Sequence, residues 1–146
     1  MKAFLQLFLF LVTATTVAQE WRTDLAQAKK EAAQLKRPIV LVFQGSDWCA
    51  PCIKLEREIW GSEEFKMYSS SHFVMLKADF PRKTKNKPSP AQQEKNNALA
   101  ERYNKKGIFP YVVILDSEGK VLGTTGYKKM TPSAYISHLE SFKGHE

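Results

Sequence analysis

Ile39-Val40-Leu41-Val42-Phe43-Gln44-Gly45-Ser46-Asp47-Trp48-Cys49-Ala50-Pro51-Cys52 runs from a continuous apolar segment, through a polar turn, into two cysteines separated by two residues. The apolar run has the length of a strand and the unbroken hydrophobicity of one buried on both faces. The turn leads into a helix, and Pro51 suits its first turn, where a missing N–H leaves no bond unmade. A cysteine that opens a helix holds its sulfur beside unpaired backbone N–H groups and the positive end of the helix dipole. That setting favours the thiolate, the nucleophilic form of the side chain. A second cysteine one turn further on can close a disulfide and release whatever the first has captured. Cys49 and Cys52 are the only cysteines in the chain, and a pair so spaced between strand and helix is a redox dithiol signature.

Two other uses of the pair fit less well. A disulfide kept for stability gains little from so short a loop, because closing it removes little freedom from the unfolded chain. A structural zinc ion takes about four ligands. With no third cysteine, histidines would have to complete that set, and His138 and His145 lie toward the C-terminus. No metal or other cofactor is expected, since the two thiols carry the electrons themselves.

Upstream, Lys2, the apolar stretch Ala3 to Val12 and the small residues of Thr16-Val17-Ala18 read as a secretory signal. The apolar stretch falls short of the ~20 residues that a membrane-spanning helix needs. Cleavage is expected near Ala18/Gln19, with a signal peptide at 1–18, one domain at 19–146, and a periplasmic or secreted location. The formal net charge is +7, and much of the excess sits in Arg82-Lys83-Thr84-Lys85-Asn86-Lys87. Without groove-reading or aromatic elements beside it, this segment reads as a solvated loop, and no nucleic acid is expected as a partner. A weak attraction for acidic partners is the lesser alternative.

Leu25, Ala28, Ala32 and Leu35 recur at helical spacing and predict a helix over 23–36, ended by Pro38. The cysteine helix extends to Trp60 with Leu55 and Ile59 inward, and Glu56 and Glu58 read as solvated positions on it. Ser62, followed by Glu63 and Glu64, opens a short helix carrying Phe65 and Tyr68. Residues 72–80 read as a strand, 81–90 as a Pro- and Lys-rich loop, 91–104 as a helix and 111–115 as a third strand. Asp116-Ser117-Glu118-Gly119 is turn chemistry before a fourth strand over 120–125, so these two strands form a hairpin. Thr131-Pro132 opens a final helix. Alternating helices and strands predict an α/β layer, and the terminal hairpin makes its sheet mixed.

The strand feeding Trp48-Cys49-Ala50-Pro51-Cys52, the segment Gly107-Ile108-Phe109-Pro110 before a strand, and the Asp116–Lys120 turn with Gly123 and Gly126 together resemble the thioredoxin superfamily. The likeness covers Ile39 to Lys143. Gly45-Ser46-Asp47-Trp48 and Lys54-Leu55-Glu56 look most like its compact bacterial branch related to exported disulfide reductases. The resemblance implies an α/β, thioredoxin-like fold, a central mixed sheet of about four strands flanked by helices. It also implies Cys49 as attacking nucleophile and Cys52 as resolving cysteine. Trp48, Ala50, Pro51, Phe109 and Pro110 would shape the site or hold substrate, with Pro110 matching the family's cis-proline. The chain departs from thioredoxins proper at Phe43, where they carry a buried aspartate.

Fold does not set the direction of exchange. A strongly stabilised thiolate favours the reduced protein and makes it an oxidant. Strong oxidants of the superfamily usually carry a histidine between the cysteines, and Ala50-Pro51 resembles the reducing branch instead. The expected function is a protein-disulfide reductase, a monomer, acting on disulfide-containing exported proteins and re-reduced by a membrane electron-donor reductase. A disulfide oxidase or isomerase on the same fold, and a non-catalytic adaptor or holdase, are the alternatives.

Overall fold

The computed structural model describes residues 19–144, so the signal sequence expected at 1–18 lies outside the described residues. In chain order the elements are β1 (Trp21–Arg22), α1 (Leu25–Leu35), β2 (Ile39–Gln44), α2 (Ala50–Leu55), α3 (Glu63–His72), β3 (Val74–Asp79), α4 (Pro90–Tyr103), β4 (Tyr111–Leu115), β5 (Val121–Thr125) and α5 (Pro132–Glu140). The strands form one mixed sheet in the order β1-β3-β2-β4-β5. β1 and β2 run parallel to β3, while β4 is antiparallel to β2 and β5 to β4.

Central β2 explains its own sequence. All six of its residues are buried, so there is no polar face to alternate with. Val40 and Val42 join the layer built from α2, α3 and α5, together with Leu55, Phe65, Tyr135 and Leu139. Ile39, Leu41 and Phe43 join the opposite layer with Ala28 and Ala32 of α1 and Leu99 of α4. The two alanines let α1 lie close on the sheet. Asp24 caps that helix by accepting the Gln27 N–H at 2.9 Å.

Several boundaries differ from the sequence reading. Leu35 continues the α1 stripe in spacing but is 43% exposed, because the helix ends there and Lys36 turns into the left-handed region. His72 belongs to α3 rather than to the following strand: its ring stacks on Tyr68, and the Phe73 N–H still bonds to Ser69. The sheet has a fifth strand, β1, whose two residues are too few for any periodic signal.

α2 passes without interruption into a π-helical turn, Glu56–Trp60. Its wider winding is closed by the Gly61 N–H on the Glu56 carbonyl at 2.7 Å. Ile59 and Trp60 both end up buried there. The Trp60 ring meets Trp21, Phe65 and Tyr135 edge-on, with centroids 6.1, 4.8 and 5.5 Å away.

Candidate active site

The end of β2 delivers the chain to the dithiol. The Cys49 N–H bonds to the Gly45 carbonyl at 2.9 Å, closing the turn, and the Cys49 carbonyl accepts the Ile53 N–H at 3.0 Å. Cys49 is therefore the cap of α2, and its Sγ accepts the Cys52 N–H at 3.3 Å. The sulfur occupies the place where a capping oxygen usually sits, at the positive end of the helix. Cys49 and Cys52 are joined as a disulfide with a Cα–Cα distance of 5.2 Å, and each residue is 4% exposed. Ala50 and Pro51 face solvent on the first turn.

Pro110 comes to the same end of the sheet from β4. Register pairs Phe43 with Tyr111, so Pro110 lies beside the last residues of β2, where the cysteine turn departs. The Phe109–Pro110 peptide is cis and Pro110 is buried. Asn104 fixes the approach to it. Its buried amide brackets Ile108, donating to the Ile108 carbonyl and accepting the Ile108 N–H, both at 2.9 Å. Between them Gly107 takes a φ of 63°, which a residue without Cβ adopts at no steric cost. Sequence reading missed Asn104. An asparagine just past a helix signals a helix end, but not what its side chain will grip.

Trp48 is half-buried and does not join either core layer. Its Nε1–H donates to the Phe80 carbonyl at 2.7 Å, and its ring meets the Phe109 ring at 5.5 Å. The Arg82 guanidinium covers the ring at 3.9 Å. Phe80 in turn packs on Phe109 at 5.6 Å. Gly45 completes this packing: a Cβ there would fall inside the Trp48 indole. Trp48 thus links three segments, the cysteine turn, the end of β3 and the loop before Pro110.

Two aspartates lock the turn. Asp79 accepts the Ser46 N–H at 3.0 Å and the Ser46 hydroxyl at 2.6 Å. Asp47 accepts the N–H groups of Arg82 and Lys83 at 2.9 and 3.0 Å and the Asn86 amide at 2.9 Å. These bonds, led by that from Arg82, hold the Asp47 carboxyl below the usual aspartate range.

Phe43, at the departure from the thioredoxin pattern, is fully buried and packs against Tyr111. Glu58 is less solvated than the sequence suggests: it accepts the Tyr127 hydroxyl at 2.7 Å, which raises the tyrosine's pKa. Among the described residues no carboxylate is hydrogen-bonded to either sulfur. Two sulfurs at bonding distance, one of them capping a helix, can alternate between dithiol and disulfide and so move two electrons.

The family profile described as thioredoxin-like matches residues 20–117. Disulfide bond reductase DsbH of Chlamydia pneumoniae is 38% identical over 122 residues, which cover 84% of this chain and 71% of that protein. The solved structure titled DsbH oxidoreductase aligns with a TM-score of 0.78 at 35% identity, covering 97% of this chain and 94% of that one. A disulphide isomerase from Xylella fastidiosa Temecula1, at 21% identity, shares the fold: the TM-score is 0.59 and the coverage 81% of this chain and 87% of that one.

Proposed function

The chain belongs to the thioredoxin-like family and is a thiol:disulfide oxidoreductase, and we propose that it works as a reductase of disulfides in exported proteins. The observation that carries this reading is the Cys49–Cys52 pair, already bonded, with Cys49 capping α2. Reduction as the direction is supported by the likeness to disulfide bond reductase DsbH and by Ala50-Pro51, which places no cationic side chain between the cysteines. The apolar leader within 1–18 supports export.

In the reduced protein the Cys49 thiolate attacks one sulfur of a substrate disulfide. A Cys49–substrate S–S bond forms, the substrate's own S–S bond breaks, and the departing thiolate takes a proton from water. Cys52 then loses its proton to water and attacks Cys49 Sγ. The mixed disulfide breaks, the Cys49–Cys52 bond forms, and the substrate leaves as a dithiol carrying two electrons. Trp48, Phe109 and Pro110 form the wall against which substrate chain lies, and exposed Ala50 and Pro51 face it. A dithiol donor on the membrane restores the reduced form.

Equilibrium redox titration of residues 19–146, followed by Trp fluorescence and thiol labelling, tests the direction. A midpoint near the thioredoxin value of about −270 mV is expected. A midpoint above about −180 mV would instead assign oxidation or isomerisation.

A further inference from the structure

The basic segment after β3 is not a detached loop. Thr84–Asn86 winds as a short 3₁₀ turn, closed by the Lys87 N–H on the Thr84 carbonyl at 3.2 Å. The Asp47 carboxylate grips the N–H groups of Arg82 and Lys83 and the amide of Asn86. The Arg82 guanidinium sits 3.9 Å over the Trp48 ring, and the Phe80 N–H bonds to the Gln44 carbonyl at 2.9 Å. The loop is therefore fastened to residues immediately before Cys49. Asp47 is two residues from Cys49, no more than about 7 Å of chain. At ~0.1 M salt the screening length is about 10 Å, so charge at the fastened end of the loop is felt by a chain approaching the dithiol.

Those charges outnumber the acids fastened beside them, although Lys83 acts through space on the Asp47 carboxylate. Arg82, Lys83, Lys85 and Lys87 are exposed, and among the described residues none of them forms an ion pair. Two carboxylates are fastened into this turn. Asp79 faces Ser46, and Asp47 faces backbone and amide N–H groups. Three exposed lysines and Arg82, whose guanidinium sits over Trp48, thus stand on a loop fastened beside the dithiol.

We infer that residues 82–87 are a docking arm that selects substrates whose disulfide is flanked by acidic polypeptide; the inference rests on the disulfide-exchange function above. A bound chain running past Trp48 and Phe109 passes the lysine side chains before or after its disulfide reaches Cys49. Attraction of this kind acts mainly on the rate of encounter and on the choice among partners. Tethering the arm through backbone N–H groups leaves every lysine amine available to the partner.

The test uses the reduced protein and three disulfide-bridged peptides with one common ring and Glu, Gln or Lys flanks. Rate constants are measured at low and at high salt. The Glu peptide is expected to react about tenfold faster than the Lys peptide at low salt, with the preference largely erased at high salt. In the triple variant Lys83→Gln, Lys85→Gln, Lys87→Gln the ratio should fall close to one. A second variant, Lys30→Gln, Lys36→Gln, Lys120→Gln, removes the same charge from exposed positions elsewhere and should keep the preference. Equal rates for all three peptides in the unaltered protein, or equal loss in both triple variants, overturns the docking arm while leaving disulfide exchange intact. Failure to reduce any of the peptides overturns the exchange function itself, and the arm with it.

Discussion

Trp48 and Trp60 lie at the two ends of one short segment, yet they are held by different physics. Trp60 is 1% exposed and is gripped by the edges of three aromatic rings. It belongs to a hydrophobic cluster, and dispersion and burial hold it. Trp48 is only partly buried and is fixed by one hydrogen bond, one guanidinium and one aromatic edge. Those contacts come from residues far along the chain, and they shape a surface rather than fill an interior. A tryptophan fixed by polar contacts at a rim marks a site. One fixed by its neighbours' rings marks a core.

The strongest test of that division targets the rim. Cys49→Ala should lower turnover at least about a thousandfold, as loss of a nucleophile does, while the thermal midpoint of the reduced proteins stays nearly the same. Cys52→Ala should accumulate substrate as a mixed disulfide, visible on non-reducing gels. Absence of adducts with Cys49 intact would contradict the exchange mechanism.

Trp60→Ala should cost about 3–5 kcal/mol in denaturant unfolding, with the folded fraction still exchanging at the unaltered rate. Trp48→Ala should cost only about 1–2 kcal/mol, from a half-buried ring and one lost hydrogen bond, and should slow reduction of protein substrates about tenfold. If Trp48→Ala destabilises as much as Trp60→Ala and leaves exchange untouched, the division between rim and core is wrong.

The smallest effect is on pH. The Asp47 carboxyl titrates below the usual aspartate range in the folded protein. Its grip on residues 82–86 is therefore complete above the ordinary aspartate pKa and is lost as pH falls through the lowered value. The amide proton shifts of Arg82 and Lys83 should follow that titration, with a midpoint below the ordinary one. Asp47→Asn should flatten both curves.

What the sequence made legible was local. A buried strand, a polar turn and a cysteine pair are contiguous, so β2, the turn and α2 can be read from one stretch. Ser62, Ser89 and Thr131 cap their helices within three residues, and of these Ser62 and Thr131 could be recognised by position. The grip of Asp47 on Arg82 spans 35 residues and that of Trp48 on Phe80 spans 32. No pattern of spacing encodes such a meeting. The basic run was visible as charge, but its attachment beside Cys49 was not. β1 escaped because pairing two residues to Met75 and Leu76 depends on the partner strand, not on their own sequence. Glu58 read as solvated because its partner, Tyr127, arrives from 69 positions away.

Gly45 gives the molecule a history of allowed steps. A Cβ at that position falls inside the indole of Trp48, so a first substitution there must push the tryptophan from its place. Shrinking Trp48 first opens the position, at the cost of the ring that Arg82 and Phe109 rest upon. The order of change is therefore fixed: a library that varies Gly45 alone should return it as intolerant, and one that varies both positions together should find side chains at 45 beside a smaller residue at 48.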